Sequence, residues 1–170
     1  MGAAKPGALL AGRPLVSYPV AALAAVCDRV AVVAKADTEL PALDAERWDE
    51  PAEPRHPIAG IRYALERTGG PIVVCAADMP FATPEVLRRI ADALRAGAYA
   101  AAAVSEDRLE PLLAGYGTAA LEQLAQAPDD APLRRTVESL MPVRLEVAPE
   151  VVFNVNTPAD LAEAERRLRS

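Results

Sequence analysis

Cysteine, histidine and aromatic residues are all scarce in this chain: two Cys, one His and 4% aromatics in 170 residues. Cys27 and Cys75 are far apart and match no metal or redox spacing. Each reads as a small buried apolar side chain in a reducing compartment, not as half of a disulfide. The single histidine, His56, reads as a loop residue, and no Ser-His-Asp set is discernible around it. Basic runs are missing too. With 18 Lys and Arg against 24 Asp and Glu, the formal charge is -6, which argues against a polyanion-binding groove and hence against nucleic acid as a partner. No apolar run approaches the length of a membrane span, and "MGAAKPGALLAGRP" lacks the continuous hydrophobic stretch of a secretion signal. The expected location is cytoplasmic, with no membrane contact.

What the chain does have is small aliphatic side chains. Hydrophobic residues make up 52% of it and are mostly Ala, Val and Leu, enough to build a core between layers of one domain spanning residues 1–170. Residues 14–27 carry a helical apolar face, and "VAVVAK" at 30–35 reads as a short buried strand. A proline-rich loop follows, with a possible short strand at 45–48. "IAGIRYALERTGG" reads as a helix stopped by Gly69-Gly70, and "PIVVCAAD" as the next strand. Thr83 and Pro84 open a further helix as N-cap and first-turn proline. Beyond it come a strand in "YAAAAVSED", an apolar segment "LEPLLAGY", helices at 118–126 and 132–140, a strand in "VRLEVAP", and a last helix capped by Thr157-Pro158. Strands recurring between helices imply a mostly parallel sheet covered on both faces.

Ligands of such sheets sit at the carboxyl ends of strands, which is where Asp78 falls. Taken alone, an acid there is an ordinary turn residue. The sharper alternative is magnesium, a hard cation that needs only one or two protein carboxylates beside phosphate oxygens and water. In "FNVNTPADL", Asn154 and Asn156 stand just before a well-capped helix, where their side chains and nearby amides can meet an anion. Lys5, in a Gly- and Pro-containing opening, could neutralise a polyphosphate, although an N-terminal lysine is more often simply solvated.

Read in order, "AGRPLV", "HPIAG", "DMPF", "EPLLAGY" and "NVNTPADLAEAE" resemble the molybdenum cofactor guanylyltransferase family over almost the whole chain. The resemblance implies an α/β, Rossmann-like three-layer nucleotidyltransferase fold. It also implies transfer of a nucleoside monophosphate from GTP to the phosphate of molybdopterin with Mg2+, releasing pyrophosphate. By the same resemblance Asp78 binds the magnesium and Lys5 faces the triphosphate. Asp49, in "WDEP", matches an acidic nucleotide contact, and Lys35 stands where the family commonly has an asparagine near the base. Asn154 and Asn156 match asparagines near the metal and the second substrate. The alternatives are a related cytidylyltransferase using CTP and a catalytically inactive nucleotide-binding or regulatory homologue. Proteins of molybdenum cofactor biosynthesis or molybdoenzymes are the protein partners this resemblance implies.

The family pattern also has an opening strand and a glycine-rich phosphate loop ending in Met-Gly, the dipeptide with which this sequence begins. The expectation is therefore a sheet with its first strand missing, with a gap beside unpaired backbone and a chain that unfolds easily. An internal methionine taken as start, a degenerate homologue, and a phosphate loop rebuilt from "GALLAGRP" are the three explanations this leaves.

Overall fold

The computed structural model describes residues 7–169. Lys5 lies outside them. The first element among the described residues is a hairpin of β1 (Leu9–Leu10) and β2 (Arg13–Pro14), turned by Ala11 and Gly12 at φ 49° and 79°. Both positive values suit a two-residue hairpin turn. "GALLAGRP" is thus a hairpin, not a rebuilt phosphate loop. Helix α1 (Ser17–Ala24) begins later than its apolar pattern suggests, because the hairpin takes Arg13 and Pro14 and the Ser17 hydroxyl donates to the Pro14 carbonyl at 2.7 Å.

Next come β3 (Ala31–Lys35), β4 (Glu46–Glu50), α2 (Pro57–Thr68) and β5 (Ile72–Cys75). His56 caps α2, its Nδ1 accepting from the Ile58 N–H, and Gly69 ends it at φ 61°, the left-handed conformation that favours glycine. Helix α3 (Pro84–Arg95) starts at the Thr83 cap as its sequence dictates. It is followed by β6 (Ala100–Ser105), β7 (Arg108–Tyr116), α4 (Ala120–Gln126), α5 (Leu133–Ser139), β8 (Val143–Glu146) and α6 (Pro158–Arg167).

Strands β5, β7, β6 and β8 hydrogen-bond in that order, and β3 pairs separately with β4, in parallel. Strand β7 is antiparallel to both β5 and β6, while β8 is parallel to β6. Hence β5, β6 and β8 run the same way and end at one rim, and β7 is the reversed strand within an otherwise parallel set. The reversal is a tight hairpin with Glu106 and Asp107 at φ 50° and 60°, a turn that its two acidic residues do not advertise.

Strand β6 shows why the molecule is layered. Ala100, Ala102 and Val104 point into a core with Ile58, Ile61 and Leu65 of α2, Leu124 of α4 and Val137 of α5. Ala101 and Ala103 point the other way, into a core with Val86, Leu87 and Ile90 of α3. Both faces are covered, so the strand is apolar throughout instead of alternating. The small side chains let the helices approach closely. An added Cβ at Gly115 of β7 meets Ile90 Cγ2 and Leu94 Cδ1 at 2.7 Å each. Gly115→Ala is accordingly expected to overpack this layer and cost ~1–3 kcal/mol. A thermal melt checks this at roughly 2–4 °C per kcal/mol for a chain of this size; an unchanged melt means that α3 moves away freely.

The facing edges of β3 and β5 pair with no strand among the described residues. Between them lies a cleft of about 680 Å3, where the expected gap in the sheet falls. Helix α2 packs on β3, β4 and β5 alike, bridging the two sheets on one face. Among the described residues no helix is long and apolar enough to cross a membrane.

Candidate active site

Asp78 sits in the turn that leaves β5, a turn closed by the Met79 N–H donating to the Ala76 carbonyl at 3.2 Å. Two further contacts fasten "DMPF" to "FNVN". The Val155 N–H donates to the Asp78 carbonyl at 2.9 Å, and the Phe81 and Phe153 rings meet at 6.1 Å between centroids with a 56° tilt. Val155 itself is fully buried beside Leu10 of the hairpin, Leu15 just after it and Ala164 of α6. Residues far apart in sequence therefore form one rim, with Asn154 and Asn156 flanking the residue that holds the Asp78 backbone. Asn154 Nδ2 donates to the Val152 carbonyl at 3.1 Å, which orients its amide.

Burial raises the pKa of the Asp78 carboxyl above its ordinary value, with its own backbone N–H as the opposing influence. No cationic side chain among the causes offsets this, so the folded protein holds a half-buried negative charge that favours a cation. Cys75 is pushed up to about 12, first by burial and then by the Asp78 charge. It stays a neutral thiol at physiological pH, as a structural cysteine should.

The amides at the start of α6 are differently occupied from what the sequence suggests. The Asp160 carboxylate accepts from the N–H groups of Asn156 at 3.0 Å and Thr157 at 2.8 Å, while the Thr157 hydroxyl accepts from the Asp160 N–H at 3.1 Å. This capping box satisfies those donors internally. The Thr157 hydroxyl and these two amides hold the Asp160 carboxyl below its usual range. These two amides are thus engaged within the helix cap.

Lys35 and Asp49 lie across the cleft, on the β3–β4 pair. The Lys35 ammonium is buried and donates to the carbonyls of Pro51 at 2.6 Å and Pro54 at 2.8 Å. Its third neighbour is Glu50 Oε2 at 3.5 Å, an ion-pair distance without hydrogen-bond alignment, since that oxygen has no donor. Lys35 thus anchors the 51–54 loop through its own side chain. Asp49 points the opposite way and accepts from Arg47 Nε at 2.7 Å; Arg47 also grips the carbonyls of Lys35, Ala36 and Thr38.

Sequence reasoning passed over Glu50, although strand alternation in "ERWDE" puts Trp48 and Glu50 on one face and Arg47 and Asp49 on the other. It also missed a polar hollow of about 390 Å3 beside Asn154, lined by Ser105, Arg108, Glu110 and Phe153 among others. Burial raises the pKa of Glu110 there, opposed by Arg134 and Arg108. Among the described residues no three His, Cys, Asp or Glu side chains form a metal-binding group.

These features place the chain among the α/β nucleotidyltransferases. It belongs to the MobA-like NTP transferase family, whose domain matches residues 1–147. A molybdenum cofactor guanylyltransferase of Rhodobacter capsulatus is 32% identical over 179 residues, covering 99% of this chain and 90% of the relative. A 2-C-methyl-D-erythritol 4-phosphate cytidylyltransferase of Deinococcus radiodurans is 32% identical over 186 residues, covering 92% of this chain and 78% of the relative. Among solved structures, molybdopterin-guanine dinucleotide biosynthesis protein A of Archaeoglobus fulgidus superposes with a TM-score of 0.75 at 26% identity, over 97% of this chain and 90% of that one.

Proposed function

We propose that the chain transfers GMP from GTP to the phosphate of molybdopterin, releasing pyrophosphate. The observation that carries this reading is the joining of Asp78 to the 154–156 loop through the Val155 N–H, which sets a cation-seeking acid beside two amide side chains. The similarity to the Rhodobacter capsulatus guanylyltransferase supplies the substrates.

In the reaction an oxygen of the acceptor phosphate attacks the α-phosphorus of GTP, and the bond to the β-phosphate oxygen breaks. The attacking group is already anionic, so no general base is required. The protein's task is alignment and neutralisation of charge. Asp78 would hold Mg2+, which when bound neutralises phosphate oxygens at the reacting end. Asn154 and Asn156 orient the acceptor, which lies toward the hollow beside Ser105 and Arg108. Asp49 contacts the nucleotide on the far side of the cleft. Lys35 shapes that side by fixing the 51–54 loop, and Lys5, by the family resemblance, would offset charge on the triphosphate.

The Deinococcus radiodurans cytidylyltransferase, equally similar in identity, favours a second reading in which CTP is the donor. Pyrophosphate release is to be measured with each nucleotide, molybdopterin and Mg2+. Release with GTP at least tenfold faster than with CTP is the expected result. The reverse order makes the chain a cytidylyltransferase, and release with neither makes it an inactive homologue.

A further inference from the structure

We propose that the polar hollow beside Asn154 recognises the 2-amino-4-oxopyrimidine edge of a pterin, with Glu110 as the residue that selects it. This deepens the proposed reaction and rests on its acceptor being molybdopterin, whose ring would lie here while its phosphate faces Asp78. The β6–β7 hairpin builds the hollow. Ser105 pairs with Arg108 and Ala103 with Glu110, so these side chains share one face, the face by which Ala103 meets α3. Phe153 and Asn154, from the segment after β8, join the lining.

Two side chains there lack hydrogen bonds among the described residues. Ser105 is only 6% exposed, yet its hydroxyl has no partner. The Glu110 side chain is 16% exposed, and its Oε1 lies 3.6 Å from Arg108 Nε and 3.7 Å from Arg134 Nη2, beyond hydrogen-bond reach. Its Oε2 has no partner at all. Groups withdrawn from water in this way are costly until a ligand supplies the missing bonds. A carboxylate accepts best from two N–H groups side by side. Arg108, whose one contact is the long one to Glu110, needs an acceptor next to them. That order of acceptor, donor, donor is the C4 carbonyl, N3–H and 2-amino group of a pterin; neither a sugar nor a phosphate presents it. Guanine carries the same edge, and position separates the two sources. The hollow adjoins Asn154, in the loop fastened to Asp78 through the Val155 N–H, whereas Asp49 lies on β4, across the cleft. Its volume of about 390 Å3 is at the low end of the ~300–1,000 Å3 usual for small-molecule sites and suits one fused ring system.

The experiment titrates 6-hydroxymethylpterin with the 170-residue protein, without GTP or Mg2+, and follows the polarisation of the pterin's own fluorescence. The comparison ligand is 6-hydroxymethyllumazine, in which an oxygen replaces the 2-amino group and meets the Glu110 carboxylate. The parent protein is expected to bind the pterin at least tenfold more tightly, roughly the penalty for leaving a built hydrogen-bond site unmatched, and Glu110→Gln is expected to erase the preference. In turnover the same variant should raise KM for molybdopterin and leave KM for GTP unchanged. Equal binding of the two rings by the parent protein, or binding of neither at millimolar concentration, overturns the inference without reliance on any variant. An unchanged preference in Glu110→Gln overturns it as well. Displacement of the pterin by GMP, or a raised KM for GTP in place of molybdopterin, makes the hollow a guanine site and has the same consequence. Pterin preference in a protein that releases no pyrophosphate keeps the inference and sinks the proposed reaction, whereas release without preference does the reverse.

Discussion

Asp78→Asn is expected to abolish magnesium-dependent nucleotidyl transfer, a loss of roughly a hundredfold or more in kcat, while the fold stays at least as stable. The substitution keeps the shape of the side chain and leaves the Asp78 carbonyl to receive the Val155 N–H. What it removes is a charge that burial disfavours. Because the folded-state pKa of this carboxyl lies above its ordinary value of 3.8, the folded protein binds this proton more tightly than the unfolded chain does. Ionised Asp78 therefore destabilises the metal-free fold, fully so above the folded pKa, and that cost disappears as pH falls below the unfolded value. The melting temperature of the metal-free variant should equal or exceed that of the parent at neutral pH, and the difference should shrink as pH falls through the window between the two pKa values. Retained activity would remove Asp78 from the metal site. A large fall in melting temperature would instead assign it a structural role.

Much of this rim was legible because it is built from local signals. The strand before Asp78, the Thr83-Pro84 helix start and the Thr157-Pro158 cap each rest on short-range chemistry, and the structure places the elements accordingly. The contact between Asp78 and the 154–156 loop was not legible, since it depends on how β5 and α6 are arranged in space. Strand β7 resisted assignment for a different reason. It is buried on most of its length, so it does not alternate, and it contains Pro111, which argues against a paired strand. The structure resolves the conflict. The ladder between β6 and β7 shifts register between Ala102 and Ala103, and β5 pairs only with residues from Leu113 onward, so Pro111 falls where neither ladder is regular. Its carbonyl instead accepts from the buried Tyr116 hydroxyl at 2.6 Å. The opening hairpin was misread because Pro14 and the apolar residues after it fit a helix start, and no side-chain cap marks where α1 begins.

Lys35→Met is the other change expected to have a large effect, and it bears on stability first. The Lys35 and Glu50 side chains are only 10% and 12% exposed, so removing the ammonium leaves a buried carboxylate whose Oε2 already lacks a hydrogen-bond donor. It also frees the carbonyls of Pro51 and Pro54 from their partner. Breaking a buried pair from one side costs about 3 kcal/mol or more, seen as a melting temperature lower by roughly 6 °C or more. Adding Glu50→Gln removes the unpaired charge, so the double variant is expected to recover part of the loss, and strict additivity would show that the two groups do not interact. The same variants separate two roles for Lys35 in nucleotide binding. Acting through the 51–54 loop, Lys35→Met should raise KM for GTP and CTP together and leave their ratio unchanged, because a displaced loop does not distinguish bases. A changed ratio would instead put the Lys35 ammonium against the base itself, which requires it to leave both proline carbonyls when nucleotide binds.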